Sequence, residues 1–198
     1  MKIFVNGTEV TEEFLSPPLP GTMAGAVEGV SLHLWQRGLV IESIQVDRRD
    51  YGEARADEDD AGNGLCLEIR AGRMPGALVD IARALAELLP TVVIAAHEIC
   101  QLLEEKQVER AMAGLVDLAD ALESIRRAFV VASELLPNRE YFPFSRAMSE
   151  MEGVYPLMVR ALDGGDLTAL CHIMRDSLIP VLQGSFTRIR PEPAQELH

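Results

Sequence analysis

Hydrophobic positions along this chain follow two different periods. In KIFVNGTEV (residues 2–10), Ile3 and Val5 alternate with polar or outward positions. The Asn6-Gly7 pair that follows suits the positive φ angles of a type I′ turn, so the segment reads as a hairpin. Pro17, Pro18 and Pro20 then bar a helix or a central strand as far as Thr22, which suits a helix cap. From there Met23, Ala26, Val27, Val30 and Leu34 recur at helical spacing, and Gly38 ends the helix. Alternation returns in LVIESIQV (Leu39–Val46), with Ile44 and Val46 on one face. A last strand, GLCLEIRAG, turns Leu65, Leu67 and Ile69 to the core. Between these two strands EARADEDDAGNG (Glu53–Gly64), acidic and glycine-bearing, reads as a solvated loop.

After Arg73 the helical period takes over. Pro75 suits a first helical turn. Leu78, Ile81, Ala82, Leu85, Leu88, Val92, Ala96, Ile99 and Leu103 make one stripe, and Pro90 inside it predicts a kink or a break. Val108, Met112, Leu115, Leu118, Ala119, Leu122, Ile125, Phe129 and Leu136 make a second. Helices of this length run about 45 Å each, and a tight connection near Glu105–Gln107 folds them into an antiparallel hairpin. NREYFPFS interrupts the pattern. Met148, Met151, Tyr155, Met158 and Leu162 then predict a shorter helix disturbed by Gly153 and Pro156. Gly164-Gly165 ends it and Asp166 caps the next, whose apolar face is Leu167, Leu170, Cys171, Met174, Leu178 and Leu182.

The expected fold class is therefore α+β. Residues 1–72 read β-β-α-β-β, an order that resembles a β-grasp (ubiquitin-like) domain, a small mixed sheet wrapping one helix. Residues 73–190 read as an antiparallel four-helix bundle and residues 191–198 as a disordered tail. The arrangement also resembles a group of uncharacterised bacterial proteins in which a small sheet domain precedes a helical bundle. Their last helices carry a signature matched here by Ala161, Leu162, Gly165, Asp166, Leu170, Leu178, Pro180 and Leu182. That resemblance implies architecture and no activity. Physically, Gly165 permits the turn, Asp166 caps, the leucines face the bundle, and Pro180 frees the carbonyl of Asp176 and bends the helix.

Charge narrows the partners. The 198 residues carry 31 acidic against 18 basic side chains, a formal charge of −13. Such a surface repels nucleic acid and anionic lipid, so neither is expected as a partner. MKIFVNGTEVTEEF has no apolar core of signal-peptide length, and LLPTVVIAAHEIC (Leu88–Cys100) is too short to span a bilayer. Cys66, Cys100 and Cys171 are odd in number and lack CxxC spacing, which predicts reduced thiols in the cytoplasm.

Candidate chemistry is sparse. Cys171 and His172 are adjacent on a helix, about 100° apart, and cannot converge on one substrate; Cys171 belongs to the apolar stripe and His172 pairs with Asp176. His97-Glu98 opens like a zincin motif, but position 101 is Gln where a second histidine is needed. No nucleophile elbow, Walker loop or GxGxxG follows a strand. We therefore expect no catalytic residue, no metal site and no cofactor. The expected function is a non-catalytic protein–protein interaction module: an adaptor, chaperone-like or scaffold protein. Its partner-binding candidates are Tyr141, Phe142 and Phe144, clustered in the break around Pro143, with Met148 and Met151 beside them. The bland reading of the aromatics is a plug on the open end of the bundle. Trp35 is expected to staple the small domain's core or its junction with the bundle. One alternative is a small-molecule binding protein or enzyme using a cleft between the two domains. Another is a self-associating homo-oligomer.

Overall fold

A computed structural model describes residues 1–10, 22–52 and 65–189. Pro17, Pro18 and Pro20, the acidic stretch Glu53–Gly64 and the tail 191–198 lie outside the described residues. The fold is α+β, a five-stranded mixed sheet followed by helices. The chain forms two compact units, Met1–Val79 with Ser133–Pro143, and Asp80–Ala132 with Phe144–Arg190.

The sheet unit contains β1 (Lys2–Val5), β2 (Thr8–Glu9), α1 (Met23–Gln36), β3 (Leu39–Val46), β4 (Arg49–Asp50) and β5 (Cys66–Arg73). The strand order is β2-β1-β5-β3-β4. β1 and β5 run parallel, while β1–β2, β3–β5 and β3–β4 are antiparallel. The expected Asn6-Gly7 turn forms, with φ of 50° and 84°. β4 adds a strand that the hydrophobic pattern does not mark. Its hairpin turns at Asp47 and Arg48, both at positive φ without a glycine between them.

Each turn clamps β5 with its first side chain. Asn6 donates from Nδ2 to the Ala71 carbonyl at 3.1 Å, and its Oδ1 accepts from the Ala71 amide at 3.0 Å. Asp47 Oδ1 accepts from the Cys66 amide at 3.0 Å. These bonds pair backbone groups of the central strand where strand partners run out.

The apolar face of the sheet closes on α1. Ile3, Val5, Ile44, Val46, Leu67 and Ile69 meet Met23, Val27, Val30 and Leu34, all buried. Thr22 caps α1 as expected, its hydroxyl oxygen accepting from the Gly25 amide at 3.2 Å. A bulge between Ile41 and Ser43 interrupts the alternation of β3, so Ile41 and Ile44 both reach the core while Glu42 and Ser43 stay exposed.

The helical unit is built from α2 (Gly76–Glu104), α3 (Val108–Glu134), α4 (Ser145–Asp163), α5 (Leu167–Ile173) and α6 (Ile179–Ile189); α2 begins and α3 ends in residues of the sheet unit. Pro90 and Pro156 sit inside helices that continue through them, so neither breaks its helix. Pro180 does disturb its surroundings. The run from α5 to α6 widens into a π-helical turn at Met174–Leu178, and the Ile179 amide bonds back to the Met174 carbonyl. That wider turn relieves the ring–carbonyl clash a proline imposes on an α-helix. The α2–α3 connection puts Lys106 at φ 60°, with Gln107 N–H bonded to the Leu102 carbonyl and Lys106 N–H to that of Leu103. Gly165, at φ 65°, ends α4 in the same way, and Asp166 caps α5 through the Ala169 amide at 2.9 Å. The buried face of α3 is Ala111, Leu115, Leu118, Leu122, Ile125, Phe129 and Ala132. Val108 and Met112, which the periodicity assigned to that face, are 40% and 41% exposed.

Candidate protein-binding surface

The five partner-binding candidates are mostly hidden. Tyr141, Phe142 and Phe144 are buried, as is Met151, and Met148 is half-buried. The segment Ser133–Pro143 packs with the sheet unit. There Tyr141 joins the core of α1 and the sheet, meets Tyr51 edge-on at 6.0 Å, and accepts at its carbonyl from the Ser31 hydroxyl. Phe142 meets the buried Trp35 edge-on at 6.0 Å. Phe144 belongs to the helical unit and stacks on Phe129 at 5.6 Å. Tyr141 and Phe142 therefore serve the sheet unit and Phe144 the helical unit. Side chains this deeply buried offer a partner no area without an opening of the core.

The polar groups singled out earlier make local contacts. His172 Nδ1 lies 3.7 Å from Asp176 Oδ2 on the exposed flank of the helix. His97 makes a local bond from its ring Nδ1 to the Val93 carbonyl at 2.9 Å. Cys171 is buried, as its stripe predicts, but it has a companion that spacing could not reveal. Cys100 faces it: Cys171 Sγ lies 3.5 Å from the Cys100 carbonyl, and Cys100 Sγ lies 3.7 Å from that of Cys171. Burial, and then the neighbouring Cys171 thiol, push the Cys100 thiol up to about 12. One turn beyond each cysteine, Arg175 pairs with Glu104, which lowers the Glu104 carboxyl. The buried Cys100 thiol, with its pKa pushed up in this way, is a packing group and not a nucleophile at neutral pH.

Glu123 is held at about 2 by hydrogen bonds from Arg126 first and then Arg127. The adjacent Tyr155 hydroxyl is buried without a hydrogen-bond partner, and burial raises its pKa. An always-ionised carboxylate beside a phenol pushed upward gives no acid–base couple near neutrality. On the open face of the sheet, Phe4, Ser43, Gln45, Cys66, Glu68 and Arg70 line a shallow concavity of about 780 Å³. The Cys66 thiol there is raised by desolvation and then by Glu68 and Asp47, which weakens it as a nucleophile. Among the described residues no three His, Cys, Asp or Glu side chains gather to hold a metal ion, and no helix is long and apolar enough to cross a membrane.

What the helical unit does present is apolar surface. Ile94, Val116 and Val159 are more than half exposed, at 58%, 62% and 53%, and Val108, Met112, Val131 and Leu157 are exposed beside polar neighbours. Residues 80–185 match the family described as Domain of unknown function (DUF8042). The chain belongs to that family. No curated protein and no solved structure matches it. The DUF8042 region begins with the helical unit at residue 80 and contains α3 and α4 together with the Ser133–Pro143 segment that packs into the sheet unit. Every one of those seven exposed apolar side chains lies inside it.

Proposed function

We propose that this protein is a non-catalytic protein-binding module, an adaptor, chaperone-like or scaffold protein, and that it binds through the exposed helix faces of the DUF8042 region. The observation that carries this reading is the distribution of large apolar side chains in solvent. Among the described residues, the helical unit holds Ile94, Val108, Met112, Val116, Val131, Leu157 and Val159, and the sheet unit holds Leu135. Apolar area kept exposed on regular helices is what a partner's apolar face covers. The aromatic triple and Met151 act as core residues in this reading, and the binding surface moves outward from them.

The strand order β2-β1-β5-β3-β4 around one helix supports a β-grasp identity for the sheet unit. The antiparallel hairpin connection at Lys106 and the Gly165 turn support a four-helix arrangement for the remainder. Free thiols at Cys66, Cys100 and Cys171 support a reducing, cytoplasmic setting.

The test is affinity capture from native lysate with tagged full-length protein, beside a variant carrying Ile94→Ser, Val116→Ser, Leu157→Ser and Val159→Ser together. A partner retained by the wild type and lost by the variant is expected. Equal capture by both, with the variant folded, removes the reading.

A further inference from the structure

We propose that the first turns of α3 are a docking strip for a basic amphipathic helix of a partner protein. This inference rests on the protein-binding reading and names the surface and the chemistry of what it takes. Val108, Met112 and Val116 stand at i, i+4 and i+8, with exposures of 40%, 41% and 62%, and Ala119 continues the line in solvent. At 1.5 Å per residue the strip is about 16 Å long and lies within roughly 80° of helix arc, which about three turns of a second helix cover. One side of the strip adjoins the buried seam at Leu115.

The other side is acidic. Glu109 and Asp120 border the strip, Asp117 lies further round the same side, and Glu105 stands at its start; all are exposed. Among the other carboxylates on these helices, Glu123 has Arg126 and Arg127, Glu150 has Arg146 and Glu104 has Arg175, whereas Glu87, Glu98 and Asp163 have no ion pair among the described residues. Among the described residues no cation pairs with Glu109, Asp117 or Asp120, and the nearby Arg110 guanidinium is bonded to the Gln107 amide oxygen at 2.6 Å. Apolar area edged by unneutralised carboxylates selects an occupant with an apolar stripe flanked by Lys or Arg. A second copy of this chain, with its charge of −13, meets like charge here, and an anionic membrane does the same.

The probe is a fluorescent Leu/Lys amphipathic peptide of roughly 18 residues, long enough to become helical on binding, titrated into the full-length protein by fluorescence anisotropy. A Leu/Glu peptide of the same pattern is the control. The Lys peptide is expected to bind at least about tenfold more tightly than the Glu peptide and to weaken as salt rises. Met112→Ser with Val116→Ser, which removes no charge, should cost the Lys peptide about tenfold in affinity with the melting temperature unchanged. Val159→Ser should leave binding as it was. Equal binding of the Lys peptide to wild type and the Met112/Val116 variant overturns the strip, as does no binding at all. A wild-type dimer dissociated by those two substitutions overturns it in favour of a second copy. If the strip fails while lysate capture still distinguishes wild type from the fourfold serine variant, the module reading stands; if both fail, both fall.

Discussion

The sheet unit and the helical unit handle apolar surface in opposite ways. The sheet unit is closed: α1 and five strands shut on each other, and Tyr141 and Phe142 arrive from a distant segment to complete the packing. Its polar side chains serve the same end. Asn6 and Asp47 pair with the backbone of β5, and Ser31 satisfies the Tyr141 carbonyl. The helical unit buries one face of each long helix and leaves large apolar side chains exposed on the others. Among the described residues, Leu135 is the one large apolar side chain of the sheet unit left exposed. Long helices have surface to spare, and what stands on that surface is open to a partner.

The contrast is broken most severely at Phe142. Phe142→Ala should destabilise the protein by about 3–5 kcal/mol, measured by denaturant unfolding, whereas Val116→Ser should stay within about 0.5 kcal/mol. Similar losses at the two positions would end the distinction between a sealed core and an open face. Next in size is Asn6→Ala, which forfeits two backbone-directed hydrogen bonds and a residue tolerant of positive φ. A loss of about 2 kcal/mol is expected, and Asn6→Gly should recover part of it. A smaller effect of opposite sign belongs to the helical unit. Lys106 stands at φ 60° where a helix end favours glycine, so Lys106→Gly should stabilise by about 1 kcal/mol.

These positions also show what was legible in the sequence. The Asn6-Gly7 turn, the Thr22 cap, the Gly38 end and the Gly165–Asp166 junction depend on local chemistry, and all were readable from a few adjacent residues. β4 was not, because its turn uses Asp47 and Arg48 at positive φ with no glycine to mark it. At Pro90, of the expected kink or break, the break does not occur, since a long helix packed along its length tolerates one missing amide. The aromatic triple is buried for a non-local reason. Aromatics in a helix break look available in sequence, and only the tertiary fold reveals Trp35, Tyr51 and Phe129 waiting for them. The exposed Val108 and Met112 were assigned inward because a period of 3.6 fixes a face only to within a residue either way. Nor could spacing bring Cys100 to Cys171, which lie on different helices.

Two finer measurements sharpen the contrast through titrating groups. A thiol reagent near pH 8 should label Cys66 alone in the folded protein and all three cysteines after denaturation, because Cys66 is half-exposed while Cys100 and Cys171 are buried. The Cys100 thiol ionises near 12 when folded and about 8.5 when unfolded, so its contribution is complete below the lower value and is lost as pH rises towards the upper one. The smallest effect is at Glu123. Its carboxyl, held at about 2, favours the fold above its ordinary range near 4 and loses that contribution as pH falls through about 2. Glu123→Gln should flatten the stability profile between those limits. Because the group is exposed, the change should shrink as salt rises.

The most direct test of the central claim places a photo-crosslinking residue at Val116 on α3 and, separately, at Gln45 on the open face of the sheet, in the native cell. A discrete adduct from position 116 and none from position 45 is the predicted result. Adducts from position 45 with none from 116 would assign binding to the sheet unit and contradict the account.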